Sequence, residues 1–237
     1  MNIIEKQHLP SYITNYKNDA RWLTKESENY IFHYFQDSVA EREIDNIINI
    51  QEESFDKIIR VLGVEKPTDK ILYYIYPNKD IKRELMGDGG FAQAIFSDYS
   101  IHILYTNEDK PIGEHEDTHL LSSPLGLATG FFAEGLAEYL SWGRIVLNKT
   151  KDEWLEEGKG KILPIEKIVP HEDWMKTPDE NFMYYYSFAG FFVGKMIERS
   201  GIDNFKDFYR SINRKMNYQE INDIFRKYCK VNLNLYI

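Results

Sequence analysis

"GEHEDTHLL", residues 113–121, places two histidines four apart with a glutamate directly after the first. On an α-helix, residues four apart lie about 40° apart around the axis and one turn along, so the side chains of His115 and His119 can meet at one point. Imidazole nitrogens suit a tetrahedral ion such as Zn²⁺, and two histidines with one carboxylate leave the fourth position for water. Glu116 then sits beside that water, able to take its proton. The motif alone does not decide the matter. With six histidines and 22 glutamates in 237 residues, His-Glu-x-x-His arises by accident in about one such chain in seventy.

The next helical segment adds the missing weight. "FFAEGLAEYL", residues 131–140, sets Glu134 and Glu138 one turn apart in an otherwise apolar run, where a carboxylate is costly to bury without a partner. A metal ion is such a partner. Glu134 is therefore expected as the third ligand, with Glu138 accepting the free N–H of a liganding histidine and fixing its tautomer. Gly135 would let the two helices approach closely.

Upstream, "NYIFHYF" (29–35), "KILYYIYP" (70–77) and "YSIHILYT" (99–106) are rich in aromatic and β-branched residues and read as strands. Between the first two, Ile44, Ile47, Ile48, Phe55, Ile58, Ile59 and Leu62 recur at helical spacing up to Gly63, which predicts one long helix. "GDGGFAQAIFS" (87–97) opens with a glycine-rich turn that fits no phosphate-binding pattern. After Pro111 the chain reads as helical over 111–123, 131–148 and 184–200, with two more helices at the C-terminus. Strands first and helices second is an α+β order: an N-terminal mixed β-sheet with a long helix, then a mostly helical C-terminal half. His33 and His102 fall within strand patterns as ordinary sheet residues, and His171 is a lone loop histidine of the kind usually solvated.

Twenty-nine basic against 38 acidic residues, a formal charge of -9, with no dense Lys/Arg cluster, argue against nucleic acid and anionic membranes as partners. The N-terminus builds no signal-peptide core, and no segment approaches the roughly 20 apolar residues of a membrane span. A single cysteine, Cys229, rules out an intramolecular disulfide. A cytoplasmic location is the expectation.

"HEDTH" followed by "FFAEGLAEYL" resembles the gluzincin metallopeptidases, in particular the peptidase MA-like group related to thermolysin and the aminopeptidase N family, over about residues 29–210. The resemblance implies a thermolysin-like zincin catalytic domain at 29–237 after an N-terminal extension at 1–28. Its upper β/α subdomain would span about 29–123 and its lower helical subdomain about 124–237, with the active-site cleft between them. It implies one Zn²⁺ per chain held by His115, His119 and Glu134, Glu116 as general base, and Glu138 behind the ligands. "YYYSFAGFFVGKMIERSG" (184–201) is similar to a later helix of the family whose leading tyrosine hydrogen-bonds the tetrahedral intermediate, which points to Tyr186, with Tyr185 as the neighbouring alternative.

Two departures from the family pattern bear on activity. Fourteen residues separate His119 from Glu134, against about eighteen in better-known members. Aminopeptidase N relatives carry a Gly-x-Met-Glu-Asn strand whose glutamate holds the substrate amine, whereas "GFAQA" (90–94) offers Gln93. The missing charge favours an endopeptidase over an aminopeptidase, with Phe91, Ala92, Gln93 and Ala94 lying along a sheet edge against an extended peptide or protein substrate. The competing expectations are a catalytically silent module that keeps the fold and binds a peptide or protein, and hydrolysis of a different amide or ester.

Overall fold

The computed structural model describes residues 16–236. It is an α+β structure with a five-stranded mixed sheet, and its chain divides into two units. One unit runs up to Arg60 and resumes over Glu65–Leu120; the other takes Val61–Val64 and the chain from Leu121 onward.

The first unit holds β1 (Trp22–Glu26), β2 (Tyr30–Phe35), α1 (Val39–Leu62, up to Arg60), β3 (Ile71–Tyr76), α2 (Lys79–Met86), β4 (Ala92–Ile95), β5 (Ser100–Leu104) and all but the last residue of α3 (Glu114–Leu121). The strand order is β1-β2-β3-β5-β4. β2, β3 and β5 run parallel, and β1 and β4 flank them antiparallel. Residues 22–26, which the sequence leaves within an N-terminal extension, thus form an edge strand paired with β2; residues 1–15 of that extension lie outside the described residues. The alternation of β2 turns Tyr30 and Phe32 into the core with Tyr73 of β3, and Phe55 of α1 meets Tyr30 edge-on at 5.9 Å. On the opposite sheet face, Tyr16, Phe35, Tyr74, Tyr76 and Ile95 join Leu85 and Met86 of α2 in a second core. There His33, Tyr74 and His102 stack across three strands at 4.4 and 4.8 Å, so both histidines are sheet residues as expected.

The second unit contains α4 (Gly130–Leu140), α5 (Lys151–Glu157), α6 (His171–Trp174), α7 (Phe182–Ser200), α8 (Ile202–Ser211) and α9 (Tyr218–Cys229). α4 stops at Leu140 instead of reaching residue 148. The chain beyond it reverses at Leu147 and Asn148, both at positive φ, where Val146 and Lys149 bridge. Phe131, Phe132, Phe192, Phe208 and Phe225 are buried together, with Phe132 and Phe208 edge-on at 4.8 Å. No helix of the described residues is long and apolar enough to cross a membrane.

Gly135 does permit a close approach, and the helix it admits is α7. A Cβ at Gly135 would stand 2.7 Å from the Ala189 carbonyl oxygen and from Val193 Cγ2, and one at Gly190 would stand 2.7 Å from Glu138 Cβ. Gly135→Ala gains about 1 kcal/mol of helix propensity and loses more to overpacking against a backbone that cannot yield. The expected result is a net loss of about 1–2 kcal/mol in urea unfolding. Gly143→Ala, where a Cβ would meet nothing within 4 Å, is the control and should change little.

Candidate metal centre

α3 begins where Gly113, at φ 98°, turns the backbone into the helix. Asp117, Thr118 and Leu120 of this helix are buried, while His115, Glu116 and His119 are half-buried. The helix therefore fixes one face in the protein and leaves the two histidines on another, as the four-residue spacing requires. The imidazole rings lie 5.1 Å apart and nearly perpendicular. α1 reaches the first turn twice: Lys57 Nζ pairs with Glu114 Oε1 at 2.8 Å, and the buried Gln51 side chain bonds Gly113 and Asp117.

α4 presents Glu134 half-buried and Glu138 buried. Lys151, 1% exposed, sets its Nζ 2.8 Å from Glu138 Oε2 and donates to the carbonyls of Glu138 and Ser141 and to Ser141 Oγ at 2.7–2.9 Å. A lysine thus compensates the buried charge of Glu138 and satisfies carbonyls at the end of α4. Burial of Glu138 is accordingly no sign of a metal in itself, and the weight falls on Glu134. At the other end of α4 the His171 Nδ1 accepts the Gly130 N–H at 3.1 Å. His171 is therefore engaged rather than merely solvated, and burial, with the charge of Arg214 acting in the same sense, lowers its pKa.

One ligand atom from each of His115, His119 and Glu134 comes together in a group whose members all lie within 4.8 Å of one another. The chain matches no protein-family model and no curated protein. The donor set itself fits a small divalent ion in its chemistry: two imidazole nitrogens and one carboxylate oxygen with one open position is the hydrolytic arrangement of zinc. Glu116, next to His115 in the sequence, is not one of the three grouped residues.

The expected Tyr186, its alternative Tyr185 and the adjacent Tyr184 are sorted by their neighbours. Tyr184 meets Lys161, whose Nζ lies 3.3 Å from its hydroxyl, and Trp154; Tyr185 is buried in the core. Tyr186 is half-buried between the rings of Trp174 and Phe182, at 5.6 and 5.7 Å. β4 lies at the sheet edge, with Ala92, Gln93 and Ala94 half-buried and Phe91 40% exposed just before it. Gln93 stands opposite His102 of β5. The turn into β4 is held by Lys82, fully buried, whose Nζ donates to the Gly90 carbonyl at 2.6 Å. Burial pushes this ammonium's pKa down, against the opposing charges of Asp88 and Glu116.

Gln51, Lys82 and Lys151 escape a reading for chemistry because lysine and glutamine are ordinary surface residues. Gln51 alone leaves a trace, since it interrupts the apolar stripe of α1 midway between Ile47 and Phe55.

Proposed function

We propose that this protein is a zinc-dependent metallopeptidase with a thermolysin-like zincin fold, cutting within peptide chains. The observation that carries the reading is the convergence of His115, His119 and Glu134. The half-buried Glu116 beside His115 and the edge position of β4 support it.

Bound by these three residues, zinc supplies Lewis acidity and a water acidic enough to be deprotonated near neutral pH. Glu116 takes the proton of the attacking water and delivers it to the departing amine, so one carboxylate serves as base and then as acid. Tyr186 donates a hydrogen bond that strengthens as negative charge gathers on the carbonyl oxygen. Glu138, held by Lys151, accepts the outward N–H of a liganding imidazole and fixes its tautomer. The β4 edge pairs with an extended peptide through its open backbone groups, and Ala92 and Ala94 leave room for substrate side chains. Gln93 offers no charge to a substrate amine, which disfavours aminopeptidase action.

Metal content of wild type and Glu134→Ala, washed against the same weak chelator and measured by mass spectrometry, tests the centre. About one zinc per chain in wild type and a loss of most of it in the variant are expected. Absence from wild type, or equal content in both, would exclude Glu134 as a ligand.

A further inference from the structure

Gln51 stands in the buried seam of α1 with no exposure to solvent. A primary amide taken fully out of water must find partners for both its oxygen and its NH₂ group. Both lie at the start of α3. The amide oxygen accepts the Gly113 N–H and the amide nitrogen donates to Asp117 Oδ2. Reversed, the amide would set NH₂ against N–H and carbonyl against carboxylate, so the two partners dictate its orientation. The backbone carbonyl of Gln51 in turn accepts the Tyr30 hydroxyl at 3.1 Å, which ties the residue to the sheet. Asp117 lies between His115 and His119 in sequence, and Gly113 is the hinge into their helix.

We propose that Gln51 is a positioning residue for the metal centre, locking the rotation of α3 so that His115 and His119 are aimed before an ion arrives. The proposal rests on the reading of His115, His119 and Glu134 as metal ligands. Bonds at Gly113 and, one turn later, at Asp117 resist a roll of the helix about its axis from within the protein, beside the half-exposed Lys57–Glu114 pair. A roll of about 20° moves an atom ~6 Å from the axis by ~2 Å. Metal–ligand distances tolerate about 0.2 Å, so even a fraction of that roll spoils the site.

Zinc dissociation constants, from competition with a chromophoric chelator, would be measured for the full chain as wild type, Gln51→Met and Gln51→Met/Asp117→Leu. Urea unfolding of each metal-free form would run in parallel. Gln51→Met keeps the length of the side chain and removes both bonds, so zinc affinity should fall about tenfold or more, and stability should fall too because the Asp117 carboxylate loses a buried donor. The double variant removes that carboxylate as well, and its stability should return toward wild type. Under a positioning role its zinc affinity stays low, because nothing restores the aim of α3. Under a purely structural role affinity recovers in step with stability, which would overturn the proposal. Affinity in Gln51→Met within twofold of wild type would do the same. If that single variant does not fold, the double variant decides alone. Wild type without zinc removes the metal centre and this role with it, whereas zinc in wild type with unchanged variant affinities removes only the role of Gln51.

Discussion

Glu116→Gln is expected to abolish peptide hydrolysis while leaving zinc content at the wild-type level. The substitution keeps shape and size but replaces a basic carboxylate by an amide too weakly basic to take the water's proton. The three ligand atoms, from His115, His119 and Glu134, are untouched, so binding of the ion should persist. General-base catalysis contributes about 10²- to 10⁴-fold, and turnover of an internally quenched peptide should drop by that order. The assay pairs initial rates with metal content on the same preparation. A variant that still cleaves at the wild-type rate would remove Glu116 from the mechanism. A variant that loses its zinc would instead make Glu116 a ligand.

The second large effect is acid sensitivity through His102. Its ring is buried between hydroxyls, with Nδ1 2.9 Å from the Tyr76 oxygen and Nε2 2.9 Å from Ser100 Oγ. A neutral imidazole satisfies both hydroxyls, one nitrogen donating and the other accepting. Protonation would force a charge into the sheet core, and burial, aided by the charge of Lys82, holds the pKa at about 3. The folded-state pKa lies below the unfolded value of about 6.5, so the unfolded chain binds the extra proton first. The neutral ring's contribution is complete above about pH 6.5 and is lost as pH falls from there toward 3. The slope approaches 1.4 kcal/mol per pH unit, about 5 kcal/mol over the whole window. Urea unfolding between pH 7 and 4 should show this slope in wild type and a shallower one in His102→Gln, whose amide can also serve both hydroxyls. Equal slopes in the two proteins would mean that His102 does not govern acid stability.

Legibility in the sequence followed the range of each interaction. The strands at 30–35, 71–76 and 100–104 and the long α1 were readable because alternation and helical spacing are local patterns. β1 was not, because "WLTKE" has a half-exposed, polar pattern and becomes a strand by pairing with β2. The extent of α4 was overestimated for a related reason: "SWGRIVLNK" continues an apolar rhythm, while its actual course is set by the Val146–Lys149 bridge and by Lys151, which takes up the carbonyls of Glu138 and Ser141.

The candidate centre divides the same way. That His115 and His119 share a helix face, and that Glu134 and Glu138 sit one turn apart in an apolar helix, follows from helical geometry and side-chain solvation, which spacing alone encodes. The tertiary structure decided which partners those groups acquire. It brought one atom of Glu134 to the two histidines, gave Glu138 a buried lysine, and put Gln51 across the first turn of α3. Each of these joins residues 13 to 66 positions apart, and no local pattern says which distant side chain a given group will meet. A buried charge or amide must be compensated, and only the fold determines which distant residue stands close enough to do it.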